Sequence, residues 1–237
     1  FKTKGDFLEY FKYQLKKKQQ YKGSYGIWNA TLKQLIKYTG DKLLFKEIDK
    51  TFIEGFVDYL LNDARMANNQ KLTPSTAKCY YSKLKACINQ AIKENIIHSN
   101  PCENIIINNQ YQHKREYLTL EEVRKIVKTE CRYKELKKAF LFSCLTGLRW
   151  SDIEKLKWSE VQKTENGYKI VFHQQKTKGL QYLDISEQAR EYLGSEGMPQ
   201  EKVFTNLKYN VLANNELLKW VQAAGIKKKI TFHCARH

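Results

Sequence analysis

The sequence predicts a mainly α-helical chain of two domains, with one small antiparallel sheet confined to the second. Three observations carry that expectation. Between residues 6 and 94, apolar side chains recur every three or four positions in four separate stretches, most of them marked by a capping or stop signal. A polar run at 108–115 then interrupts the pattern, as a linker would. The period turns from helical to alternating only after Trp158. The expected boundaries are a helical domain at 1–107, a linker at 108–117 and a second domain at 118–237.

Taken in order, Asp6-x-x-Glu9 has the form of a capping box, and Phe7, Leu8, Phe11 and Leu15 mark the face that follows. Trp28, Leu32, Leu35 and Ile36 mark a second helix that stops at Gly40. Asp49 is placed to cap a third, carrying Phe52, Ile53, Phe56, Leu60 and Leu61. Thr73-Pro74 opens a fourth, because the hydroxyl caps and proline loses nothing at a position whose N–H has no helical partner. Its apolar stripe is read as Ala77, Tyr80, Leu84, Cys87, Ile88 and Ala91. Lys78, Lys83 and Lys85 lie on the opposite face, where they meet either phosphates or water. Asn100-Pro101 closes the region.

In the second half, Thr119-x-x-Glu122 forms another capping box, followed by Val123, Ile126 and Val127 on one face. Phe140, Leu141, Cys144, Leu145 and Leu148 recur at three- and four-residue steps, and Gly147 supplies a helix stop because it tolerates the left-handed backbone that ends a helix. Ser151 with Glu154 reads as a new capping box. Arg149 sits in the turn between, among apolar neighbours, and such a guanidinium is costly unless something anionic faces it. Asp152 or Glu154 would serve, and so would a phosphate. The turn Asn166-Gly167 leads into an alternating run at 168–173, and Lys176-Thr-Lys-Gly179 joins that run to another at 180–185. Helices are expected again near Ser186, Asn210 and Phe232.

A formal charge of +17 suits a polyanion, with nucleic acid the first candidate. Residues 1–107 carry 18 Lys+Arg against 10 Asp+Glu, a net of +8, and residues 108–237 carry 24 against 15, a net of +9. Charge shared in this way fits two halves closing on a duplex better than a basic tail. The six cysteines form no C-x-x-C pair; Cys79, Cys87 and Cys144 are expected on apolar helix faces, which suits a reducing, intracellular compartment. No apolar run reaches transmembrane length and no membrane partner is expected. The chain begins at Phe1, so it is expected to be part of a longer protein.

Thr146-Gly147-Leu148-Arg149-Trp150-Ser151-Asp152-Ile153, with Leu156 and Trp158, closely resembles the first active-site box of the tyrosine recombinases, the phage-integrase family. His233-Cys234-Ala235-Arg236 resembles the His-x-x-Arg box of the same family. The resemblance implies a helical, SAM-like core-binding domain followed by a catalytic domain. It implies that Arg149 and Arg236 hold the scissile phosphate, that His233 assists by hydrogen bonding or proton transfer, and that a hairpin lysine protonates the leaving oxygen. Lys176 best resembles that lysine, with Lys178 close enough to share the candidacy. Lys114 and Arg115 would lie on the strap between domains and, with Lys78, Lys83 and Lys178, contact DNA.

The same resemblance implies a site-specific recombinase or integrase of a mobile element, acting on double-stranded DNA in the cytoplasm at the nucleoid. It would self-associate as a tetramer in the synapse. Neither metal nor other cofactor is implied. His233 and His237 have an i, i+4 spacing that zinc accepts, yet no further ligands accompany them and Arg236 lies between. The family's nucleophilic tyrosine follows the His-x-x-Arg box, whereas all 15 tyrosines here precede it. The catalytic domain is therefore expected to be incomplete, binding DNA without cleaving it. A module that only binds DNA and a type IB topoisomerase are the alternative readings.

Overall fold

The computed structural model describes residues 5–20, 22–107, 116–175 and 178–237. The chain divides into two compact units, Phe1–His113 and Lys114–His237, each with its own hydrophobic core. The architecture is mostly helical with one small sheet.

The first unit packs α1 (Phe7–Lys16), α2 (Lys22–Thr39), α3 (Lys50–Asn62) and α4 (Pro74–Lys93) around Phe7, Phe11, Leu35, Ile53, Phe56 and Leu84. Their ends follow the capping rules. Asp49 accepts from the Phe52 amide at 2.7 Å, Thr73 accepts from Thr76, and Gly40 takes φ +80° just past α2. Two readings need correction. Asp6 caps α1 through the Leu8 amide, but Glu9 pairs with Lys12 at 2.7 Å and closes no box. On α4 it is Tyr81 that is buried, with Tyr80 only half-buried, because the steps 77, 81, 84, 88 and 91 keep one face toward the core. Cys79 is consequently exposed and Cys87 buried.

The second unit contains α5 (Leu120–Lys128), α6 (Lys134–Thr146), the short α7 (Trp150–Ile153), strands β1 (Val161–Thr164), β2 (Gly167–His173) and β3 (Leu180–Ile185), α8 (Glu187–Glu191) and α9 (Val211–Ala223). The strands form an antiparallel sheet in the order β1-β2-β3, with Val161 opposite Ile170 and Ile170 opposite Leu183. Thr119 and Glu122 make the reciprocal capping box that opens α5, Ser186 caps α8, and Asn210 caps α9. Phe140 and Phe142 on α6 lie at the centre of the core with Phe204, Trp220 and Phe232. Leu145, expected on the core face, is 42 % exposed, and Val127 is likewise exposed. Both stand near the C-terminal ends of their helices.

Candidate functional site

The site is built at the end of α6. Gly147 adopts φ +68° and ends the helix, with its amide bonded to the Ser143 carbonyl. The buried Ser143 hydroxyl donates to the Leu148 carbonyl at 2.8 Å and Thr146 donates to Phe142, so the reversed chain is tied back onto the helix it has left. α7 then starts at Trp150 with Arg149 at its N-cap position. The capping box expected at Ser151 and Glu154 is absent. Asp152 and Ile153 instead donate their amides to the Arg149 carbonyl, and Glu154, past the end of this single turn, pairs with Lys202.

Arg149 is thereby presented on a tight turn. Its side chain is 29 % exposed, whereas that of Asp152 is 1 % exposed, and Arg149 Nη1 lies 3.9 Å from Asp152 Oδ2. Both atoms are buried and neither has a hydrogen-bond partner among the described residues. Asp152 uses its other oxygen to accept from the Gln175 amide at 2.9 Å. One buried carboxylate therefore faces the arginine and also fastens the root of the β2–β3 hairpin. Lys155 adds a second tether, donating to the Gln175 side chain at 2.8 Å.

The second arginine arrives on a 3₁₀ segment, Phe232–Arg236, where an α-helix was expected. At three residues per turn, positions 233 and 236 lie one above the other. Arg236 Nε donates to the Gly147 carbonyl at 2.6 Å, which holds it against the turn that carries Arg149. Burial depresses the Arg236 pKa, the neighbouring Arg149 charge depresses it further, and Asp152 opposes both. Two like charges are thus gathered with one carboxylate behind them, an arrangement that an anion in front would relieve.

Aromatic packing holds the two arginine segments together. Trp150 meets Phe232 edge-on at 4.6 Å, Phe232 meets Phe140 at 5.6 Å, and Tyr209 leans on Trp150 at 5.1 Å. Arg149, Trp150, Ser151, Tyr209, Phe232, His233 and Arg236 together line a cleft of about 350 Å³. His233 is exposed at its rim, 5.2 Å ring to ring from His237. Among the described residues no group of three or more His, Cys, Asp or Glu side chains is placed to hold a metal ion.

The structure therefore brings Arg149, His233 and Arg236 to one cleft. Lys176 lies outside the described residues, as do Lys114 and Arg115. Lys178 is exposed on the hairpin at φ +61°, its amide bonded to the Gln174 carbonyl. Lys78 is exposed and Lys83 half-buried on α4, in the other unit. Sequence reasoning did not single out Tyr209 or Gln175, and it treated Asp152 only as one possible partner of Arg149. The i+3 step from Arg149 was the available signal for Asp152. Nothing local marks Tyr209.

Residues 6–112 match the phage integrase SAM-like domain, and residues 116–237 match the phage integrase family. The chain belongs to the phage integrase family, the tyrosine recombinases. Among solved structures, it resembles a lambda integrase dimer bound to a COC′ core site, with a TM-score of 0.69 and 18 % identity over 99 % of this chain and 69 % of that one. A lambda integrase tetramer bound to a Holliday junction aligns at 0.71 and 18 %, over 98 % and 68 %. The Tn1549 transposon integrase in complex with transposon right end DNA aligns at 0.67 and 16 %, over 98 % and 84 %. No curated protein sequence matches the chain. No helix among the described residues is long and apolar enough to cross a membrane.

Proposed function

We propose that the chain is the core of a site-specific DNA recombinase that cleaves and rejoins duplex DNA through a 3′-phosphotyrosyl intermediate. The observation that carries this reading is the shared cleft. Two guanidiniums and an imidazole converge on it from segments far apart in sequence, and the nearest carboxylate is buried behind them. A phosphodiester passing through a five-coordinate state gains negative charge on its non-bridging oxygens, and fixed guanidinium forks are suited to hold that charge.

In the proposed reaction a tyrosine oxygen attacks the scissile phosphorus and the bond to the 5′ oxygen breaks. Arg149 and Arg236 steady the phosphate, and His233 assists by hydrogen bond or proton transfer. Lys176, with Lys178 as its neighbour on the hairpin, gives a proton to the departing oxygen. A 5′ hydroxyl of another strand then reverses the step, so the phosphate ester is conserved and no nucleotide is consumed. The helical segment 1–107 and the catalytic segment 118–237, joined by 108–117, would clamp the duplex, with Lys78, Lys83, Lys114, Arg115 and Lys178 at the backbone. A tetramer on the synapse follows by analogy with lambda integrase, solved as a tetramer on a Holliday junction.

The test is incubation of the product of the complete gene with nicked duplex from the ends of its element, followed by a denaturing gel. A covalent protein–DNA band that maps to a tyrosine is the expected result. DNA binding with no adduct would leave only the binding function.

A further inference from the structure

Arg149 and Arg236 neutralise a phosphate whichever oxygen attacks it, so they do not distinguish a DNA hydroxyl from water. Discrimination between the two acceptors has to come from which of them reaches the phosphorus. The cleft measures about 350 Å³, and at about 30 Å³ per water molecule it would hold on the order of ten. A phosphate group fills only part of that space.

One wall of the cleft is aromatic. Phe232, Trp150 and Tyr209 pack in series, with ring centroids 4.6 Å and 5.1 Å apart, and so run from the segment of Arg236 past that of Arg149. Exposure rises along the series: Phe232 is buried, Trp150 half-buried and Tyr209 63 % exposed. Tyr209 is therefore the member that meets solvent at the mouth, and burial explains little of its ring. Its backbone is nevertheless fixed on both sides. The Tyr133 hydroxyl donates to the Asn206 carbonyl and accepts from the Lys208 amide at 3.3 Å, and Asn206 takes φ +57°. Asn210 accepts from the Ala213 amide at 2.8 Å as the cap of α9. Tyr133 itself stands at the N-cap position of α6, the helix whose other end carries the Arg149 turn.

We propose that Tyr209 is a specificity-determining residue: its ring keeps water from the phosphorus, so that the covalent intermediate passes its phosphate to a DNA 5′ hydroxyl and not to water. The inference rests on the phosphotyrosyl reading and adds the residue that protects the intermediate. In the excluded reaction a water oxygen bonds to phosphorus, the bond from phosphorus to the tyrosine oxygen breaks, and that oxygen takes a proton from the water. The products are a 3′-phosphate end and free enzyme, and the ester needed for rejoining is lost. In rejoining, the 5′ hydroxyl supplies both the oxygen and the proton.

The experiment uses the product of the complete gene on a nicked duplex that sheds its short 5′-hydroxyl strand after cleavage, which leaves the adduct with water as its only acceptor. Denaturing gels then follow two rates: decay of the adduct to a 3′-phosphate oligonucleotide, and rejoining when a strand with a 5′ hydroxyl is added. Tyr209→Ala should raise the ratio of hydrolysis to rejoining about tenfold, the order of discrimination that one packing side chain gives. Tyr209→Phe, which keeps the ring, should match wild type. A ratio unchanged in Tyr209→Ala, or raised equally in Tyr209→Phe, would overturn the assignment, and so would loss of adduct formation in Tyr209→Ala. A wild-type protein that forms no adduct would sink the parent reading along with it.

Discussion

Arg149 and Asp152 stand 3.9 Å apart with the facing atoms buried and unbonded, while the other oxygen of Asp152 holds the Gln175 amide. The carboxylate thus sets the position of the arginine turn and of the β2–β3 hairpin root at once. Replacing Asp152 by Ala leaves that amide without its acceptor and the buried guanidinium nitrogen without the negative charge that faces it. The expected cost is about 1–3 kcal/mol in denaturant unfolding. Asp152→Asn, which keeps an oxygen for Gln175, should recover part of that stability but not the cleavage rate. Full cleavage by the Asn variant would show that the carboxylate charge is dispensable.

Replacing Arg149 or Arg236 by Ala should each lower cleavage by the intact protein on the order of 10²–10³-fold. Adduct formation on a nicked substrate measures it, with circular dichroism to verify folding. Near-normal cleavage by either variant would remove that arginine from the phosphate site.

The hairpin lysine makes a separable prediction. A substrate with a 5′-thio leaving group departs without a proton, so it should restore cleavage to a Lys176→Ala variant. Absence of rescue there, with rescue of Lys178→Ala, would move the acid to Lys178.

Gly147 joins the two arginines: its φ of +68° turns the chain to Arg149 and its carbonyl accepts from Arg236. An added Cβ meets nothing within 4 Å, so Gly147→Ala carries only the backbone cost of about 1–2 kcal/mol. Chemical denaturation reads that loss. A stability equal to wild type would mean that the turn relaxes to another conformation.

Glu122 contributes a pH dependence. The hydrogen bond from Lys228 at 2.6 Å, followed by the Thr119 contacts, holds its carboxyl below the usual range. A depressed folded-state pKa adds stability that is present above the unfolded value of about 4.3 and lost as pH falls through the folded value. Thermal melts of wild type should therefore decline on acidification through that window. Glu122→Gln should melt lower at pH 7 and decline less steeply. Parallel curves for the two proteins would assign the acid sensitivity to other groups.

Several local signals held because the physics behind them is local. Thr119 with Glu122, Asp49, Thr73-Pro74 and Gly147 act within a few residues of their own position, and each ends or begins a helix where the sequence says it should. The same logic failed at Ser151 and Glu154, because α7 is a single turn that closes before Glu154 can reach back. It also misassigned Tyr80, since neighbouring aromatics at 80 and 81 offer two readings of one stripe and only the packed core chooses between them.

The sequence by itself determined the helical class, the small sheet, the basic charge and the two arginine segments, since periodicity, capping and motif spacing are written along the chain. Only the tertiary structure decided what those segments meet. Tyr209 comes to lean on Trp150, Gln175 reaches Asp152, and Arg236 bonds to the Gly147 carbonyl. These contacts join residues that no sequence period relates. They form because burying Phe140, Phe232 and Trp150 against one another draws their flanking polar groups into a single cleft.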